Sequence, residues 1–349
     1  MRIWIVDAFA DQAFAGAQAA VVPLDSWLSD EAMQQLAAEC RMPETAFFTS
    51  SGVKGSYQLR WFTPQGEAPM SGHAALAAGA VLLSEIDPSA ELAVFDTQSG
   101  ALVVRRTQEG FTLDLPRKAR FPWEPPAGLA EALGGANIED AFGGEYATVV
   151  LPSEAAVRRL TPDLDAIVRL VRGPRAGCLA VTAQADEDKP YDFVTRFFAP
   201  GAGVPEDSAI GGAFADIAPY WCDRLGLEEA VGLELSRRGG AARATPSLST
   251  VRLLGQASVF LRGEVDARIA ARLPRRARKA SRRKPLPSFA RQHEAEAPDE
   301  KGEAAPGSPG LALEPEAAEL TILVYDLDDH TLESDDLERV EVSELARGL

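Results

Sequence analysis

The chain has 349 residues, 46% of them apolar and 25% charged, an ordinary globular composition with room for two domains and a sizeable core. Its formal net charge of −17 argues against general binding to nucleic acid or to anionic membranes. The three cysteines, Cys40, Cys178 and Cys222, are far apart and odd in number, so three reduced thiols are expected rather than a disulfide framework or a metal cluster.

The amino terminus, Met1-Arg2-Ile3-Trp4-Ile5-Val6-Asp7, carries one basic residue and an apolar stretch too short for a signal peptide. No run approaches the length of a membrane span, and a cytoplasmic protein is expected. Residues 2–9, 44–50, 56–63, 91–95 and 101–106 read as strands rich in β-branched and aromatic residues. Residues 29–40 read as a helix with Ser29 as its cap and acids in its first turn. Residues 72–84 are apolar nearly all round, which predicts a buried central helix. The proline-rich aromatic stretch 116–126 makes a boundary. Beyond it, 145–151, 177–183, 191–198, 231–236 and 250–262 read as strands, and 212–225 as a helix ended by Gly226.

The order of elements repeats. Phe62-Thr63-Pro64, Gly72 opening a helix and Ser99-Gly100 before a strand are answered by Phe198-Ala199-Pro200, Gly211 opening a helix and Arg238-Gly239-Gly240 before a strand. The interval from Gly72 to Gly100 is 28 residues, and so is that from Gly211 to Gly239. This predicts two similar lobes, 1–118 and 119–265. The remainder, 266–349, is a tail, basic and then acidic, expected to be largely disordered. Its basic cluster reads as part of a solvated linker offset by the acids behind it, in preference to an interaction arm.

Three residues stand out chemically. Glu44 lies in the apolar, strand-forming run Pro43-Glu44-Thr45-Ala46-Phe47-Phe48. Desolvation favours the neutral form of a carboxyl, so a group in such a setting can donate and accept a proton near neutral pH. His73 follows Gly72 at a helix start, where free N–H groups and the helix dipole attract carboxylates. Asp207 precedes the second helix start. If the halves face each other, His73 and Asp207 share one cleft, with Gly72, Gly211, Gly212 and Ala213 supplying backbone donors for a small carboxylic acid. No glycine-rich phosphate loop follows a strand.

In this order the motifs resemble the PhzF-like isomerases of phenazine biosynthesis, relatives of diaminopimelate epimerase. The matching stretches are 7–16, 19–22, Glu44-Thr45-Ala46-Phe47, Arg60-Trp61-Phe62-Thr63-Pro64, Gly72-His73-Ala74, Arg196-Phe197-Phe198-Ala199-Pro200, Glu206-Asp207, 218–221 and Arg238-Gly239-Gly240. The resemblance covers roughly residues 1–265. It implies an α+β fold of two pseudo-symmetric lobes, each a β-barrel-like sheet around a central helix, with the active site between them. It implies a cofactor-free enzyme, commonly a homodimer, that moves a proton and a double bond within a small unsaturated carboxylic acid in secondary-metabolite biosynthesis. Glu44 would carry the proton, while His73 and Asp207 position the substrate and hold the protonation states. Substrate contacts are expected from Gly16, Gln18, Ser71, Gly72, Ala74, Gly211, Gly212 and Ala213.

There are departures from the family pattern. Two-base epimerases of this fold need a thiol from each lobe; here those positions are Ser71 and Ile210, so a two-cysteine racemase is excluded. Ala17 replaces the asparagine of a Gly-Asn-Pro motif, and Gly211-Gly212-Ala213-Phe214 stands where Gly-Ser-Ala-His is common. These losses of polar groups point to a more apolar substrate, or to a non-catalytic small-ligand-binding protein on the same scaffold.

Overall fold

A computed structural model describes residues 1–173, 175–208, 210–270 and 273–274. The predicted disordered tail lies outside the described residues from 275 onward. The first half runs β1 (Arg2–Ala8), β2 (Ala17–Leu24), α1 (Asp30–Cys40), β3 (Glu44–Ser50), β4 (Ser56–Phe62), β5 (Glu67–Ala68), α2 (Gly72–Val81), β6 (Leu92–Thr97), β7 (Gly100–Thr107) and β8 (Gly110–Pro116). A π-helical turn, Leu82–Ile86, extends α2. Then come β9 (Phe121–Pro122), α3 (Leu129–Ala132), β10 (Asp140–Gly143), β11 (Ala147–Val150), α4 (Glu154–Arg158), α5 (Leu164–Leu170), β12 (Leu179–Gln184), β13 (Phe193–Ala199) and β14 (Val204–Asp207). The last elements are α6 (Ile210–Leu225), β15 (Ala230–Glu234), β16 (Gly240–Pro246), β17 (Thr250–Gly255), β18 (Ala257–Glu264) and the short α7 (Ala267–Ala270). The fold is mixed α+β, with one large mixed sheet and few helices.

The pairing pattern recurs along the chain. In the first half, β1 pairs antiparallel with β2, β2 parallel with β3, β3 antiparallel with β4, β4 parallel with β6, and β6, β7 and β8 follow antiparallel. In the second, β10 pairs antiparallel with β11, β11 parallel with β12, β12 antiparallel with β13, β13 parallel with β15, and β15, β16 and β17 follow antiparallel. The two series join where β8 lies antiparallel to β17. The central strands β4 and β13 also carry matching ion pairs. Arg60 grips Glu67 of β5 at 2.7 Å through Nε, and Arg196 grips Glu206 of β14 at 2.6 Å. Each is a two-pronged guanidinium–carboxylate contact, which fixes geometry as well as charge.

Two helices are buried among these strands. All ten residues of α2 are buried, as its apolar composition predicts. It packs on β1, β2, β3, β7 and β8, while α6 packs on β12, β15, β16 and β17. The π-helical turn gives α2 a looser end than the straight helix predicted to residue 84. The single strand expected over 250–262 is two strands. The chain leaves β8 after Gly255, where Phe9 packs in the place of a side chain on residue 255, and resumes at Ala257 against β1. Ser153 and Asp163 cap α4 and α5, two helices too short for a clear period in the sequence. Among the described residues no helix is long and apolar enough to cross a membrane.

Candidate active site

β3 is covered on both faces, which explains its nearly continuous burial. Phe47 packs toward α1 with Met33, while Ala46 and Phe48 share a cluster with the residues of α2. Strand alternation places Glu44 on the same face as Ala46 and Phe48, toward the start of α2. There Glu44 Oε2 lies 2.9 Å from His73 Nε2. The imidazole N–H is not aimed along this contact, so the pair is held by charge proximity more than by a well-formed hydrogen bond. Glu44 Oε2, His73 Nε2 and Ser71 Oγ are all buried with no aligned hydrogen-bond partner among the described residues. Orphaned polar atoms gathered in one place are uncommon in a finished interior and mark where a ligand can supply the missing partners.

Asp207 reaches the same place from the other half. It ends β14, opposite Phe197 of β13, one residue after the Glu206 that Arg196 grips. Burial pushes the Asp207 carboxyl up to about 6; the charge of His73 works against this and that of Glu44 adds to it. Burial alone would depress the pKa of His73. The charge and contact of Glu44, the charge of Asp207 and a backbone hydrogen bond to Gln18 together outweigh it, so the imidazole holds its proton above the ordinary histidine range.

The starts of α2 and α6 touch. A Cβ on Gly72 would lie 3.0 Å from the Cα of Gly211, and one on Gly211 would lie 2.9 Å from the Cα of Gly72. Only glycine lets two backbones approach this closely, so the free N–H groups of both helix starts open onto one cavity of about 370 Å³. Of the residues expected from the sequence, Glu44, Ser71, Gly72, His73, Asp207, Gly211 and Gly212 line it. Gly16, Gln18, Ala74 and Ala213 do not. Gly16 sits in a loop whose carbonyl accepts from Arg238 Nε at 2.7 Å and from Ser208 Oγ at 3.2 Å. Gln18 serves from behind through its backbone, and Ala74 and Ala213 face the interior.

The cavity has further lining residues that the sequence does not mark as part of a site. Arg41 and Arg175 line the cleft, both with left-handed backbone at φ 54°. Tyr146, Phe197 and Cys178 form the wall contributed by the second half. Nothing in the local pattern of apolar and polar residues marks these positions as lining a cleft. Burial raises the pKa of the Cys178 thiol, so this one cysteine in the cleft stays protonated. A neighbouring cavity of about 450 Å³ shares Met70 and Arg175 with the first and includes Lys118 and Glu145.

Behind the site Glu234 is 1% exposed, and its Oε2 accepts from the Ser236 N–H at 2.8 Å. Burial pushes its pKa from 4.5 up to about 8, with the Glu206 and Asp207 charges adding to it. The folded chain therefore keeps a proton that the unfolded chain has released, so this group lowers stability as pH rises from about 4.5 towards 8. Glu234→Gln is expected to melt higher than the parent by a margin that grows by roughly 6–12 °C between pH 5.5 and 8.5. A margin independent of pH, read by scanning calorimetry, would contradict the buried neutral carboxyl.

Residues 6–263 match the protein family described as phenazine biosynthesis-like protein. A Pseudomonas aeruginosa protein named as an uncharacterized isomerase is 40% identical over 263 residues, covering 75% of this chain and 98% of that one. A crystal structure of a phenazine biosynthesis PhzF family protein from Enterococcus faecalis aligns with a TM-score of 0.69 at 37% identity, covering 76% of this chain and 98% of the other. A crystal structure titled as a putative phenazine biosynthesis PhzC/PhzF protein from Clostridium difficile aligns with a TM-score of 0.67 at 33% identity, covering 76% and 99%. The repeated strand order, the touching helix starts and these matches lead to one assignment: the chain belongs to the phenazine biosynthesis-like, or PhzF, family.

Proposed function

We propose that the protein is a cofactor-independent isomerase that moves a proton, and with it a double bond, within a small unsaturated carboxylic acid. The observation that carries this reading is the Glu44–His73 contact of 2.9 Å at the mouth of two touching helix starts. The isomerase name of a relative 40% identical supports the same class of reaction. The substrate carboxylate is held by the free N–H groups of α2 and α6. Glu44, as carboxylate, takes a proton from the carbon next to the substrate carboxyl. The electron pair released forms a new double bond to that carbon, the old double bond opens, and Glu44, after its proton exchanges with solvent, returns a proton to the terminal carbon of the system on the same face. Charge that builds on the substrate carboxylate during the shift is met by the helix N–H groups and by protonated His73. One carboxyl suffices because both transfers occur on one face. The single cleft thiol, Cys178, stays protonated by burial, which argues against a pair of basic thiols.

Two pseudo-symmetric lobes, 1–118 and 119–265, with the site between them, a homodimeric cytoplasmic enzyme and a role in secondary-metabolite biosynthesis complete the proposal. The repeated strand pairing supports the lobes.

The test is exchange in D₂O with a panel of β,γ-unsaturated acids, beginning with but-3-enoate, followed by proton NMR. Enzyme-dependent deuterium at both ends of the three-carbon unit, with migration of the double bond, is the expected result. Saturable binding without any exchange between pH 5 and 9 would favour the non-catalytic binder instead.

A further inference from the structure

The wall facing Glu44 carries a polar group for which the mechanism above has no use. Tyr146 lies just before β11, and four contacts hold it in place. Its backbone N–H donates to Asp216 Oδ2, buried on α6, at 2.9 Å. Its ring stands edge-on to Phe197 with centroids 4.7 Å apart. The Arg175 guanidinium lies 6.0 Å from the ring centroid, over its face. The fourth contact is with the first turn of α6, where a Cβ on Gly212 would meet the Tyr146 hydroxyl and ring Cε2, each at 3.1 Å. The phenol oxygen therefore sits beside the opening turn of α6, in the space that a side chain on residue 212 would need.

That oxygen is free to act. Tyr146 lines the cavity together with Glu44, His73 and Asp207. Among the described residues it hydrogen-bonds through its backbone, while its hydroxyl takes no protein partner. A ring fixed on several sides in a cleft wall, with an unpartnered hydroxyl beside a helix start, is preorganised for a ligand, because its ordering cost is met before binding.

We propose that Tyr146 is a substrate-binding residue, its hydroxyl donating a hydrogen bond to an oxygen of the bound carboxylic acid at the start of α6. Gly212 is glycine so that the phenol can occupy this place. Burial, followed by the nearby Glu145 charge, raises the phenol pKa well above its ordinary value, so the group remains a donor across the working pH range. The assignment rests on reading the cleft as a site for a small unsaturated acid, and its test separates the two.

Two probes are used: sorbate, which carries a conjugated double-bond system, and benzoate, which has no proton to shift and so reports binding alone. Dissociation constants come from ligand-observed NMR. Tyr146→Phe keeps the ring and removes only the hydroxyl. It is expected to weaken both acids by about tenfold, the value of one hydrogen bond to a charged group, with an unchanged melting temperature. In exchange assays it should raise KM with kcat within about threefold of the parent, the signature of lost uniform binding. Tyr146→Ala should weaken binding similarly, and adding Gly212→Ser to it should recover most of the loss by returning a hydroxyl to the vacated space. Equal affinity of the parent and Tyr146→Phe for both acids would overturn the assignment, as would failure of the parent to bind either. If Tyr146→Phe weakens binding while the parent exchanges no deuterium, Tyr146 stands and the isomerase reading falls. If exchange proceeds and binding is unaltered, the isomerase stands and Tyr146 falls.

Discussion

Glu44→Gln is expected to lower the exchange rate on the true substrate by about 10³-fold, within the range spanned by general acid–base groups. The substitution keeps the shape of the side chain, so the strand and its neighbours should stay in place. What disappears is the group that takes and returns the proton, together with the negative charge 2.9 Å from His73 Nε2. Since that charge heads the contributions that hold the imidazole proton against burial, the pKa of His73 should fall in the variant. An imidazole titration by NMR can follow this separately from turnover. In the parent, exchange should rise as Asp207 ionises through about pH 6 and fall again at alkaline pH as His73 loses its proton above the ordinary histidine range. Undiminished turnover in Glu44→Gln, with the substrate in hand, would remove Glu44 from the mechanism whatever its position.

The second large effect is expected from a methyl group. In Gly211→Ala the new Cβ would lie 2.9 Å from the Cα of Gly72 and 3.2 Å from its carbonyl carbon. Both are backbone atoms, so no rotamer change relieves the clash and the helix starts must separate. A cost of about 1–3 kcal/mol is expected from such overpacking, a drop of roughly 3–9 °C in melting temperature for a domain of this size. Affinity for a carboxylate should fall further than stability suggests, because the two sets of N–H groups no longer converge. Gly66→Ala is the control: nothing lies within 4 Å of its Cβ, and its melting temperature and binding should match the parent. A Gly211→Ala variant as stable and as active as that control would mean that the close approach of α2 and α6 is not required.

Particular elements show how far local information reached. The strand predicted over 44–50 coincides with β3, because β-branched and aromatic residues between Pro43 and a turn leave few alternatives. Ser29 caps α1 as its chemistry predicts, accepting from the Ala32 N–H at 3.2 Å. β2, rich in alanine and ending in Pro23-Leu24, carries little strand signal in its sequence although it lies between β1 and β3. Its residues gain strand character from those two partners more than from their own preference. The sequence expects Gly16 and Gln18 at the site, and in the structure neither lines the cavity. A residue's distance from the cleft depends on how loops are clamped, here by Arg238 on Gly16 and Asp7.

The amino-acid order by itself determined that a strand-borne carboxyl, a histidine at a glycine-led helix start and an acid before a second such start recur in a repeated frame, since composition and spacing carry that much. Only the tertiary structure decided that Gly72 and Gly211 meet, that Glu44 and His73 come within 2.9 Å, and that Tyr146 fills the room left by Gly212. The physical reason is that contacts between residues 29, 66 and 139 positions apart arise from the packing of buried helices against the strands. No local period in the chain encodes that packing.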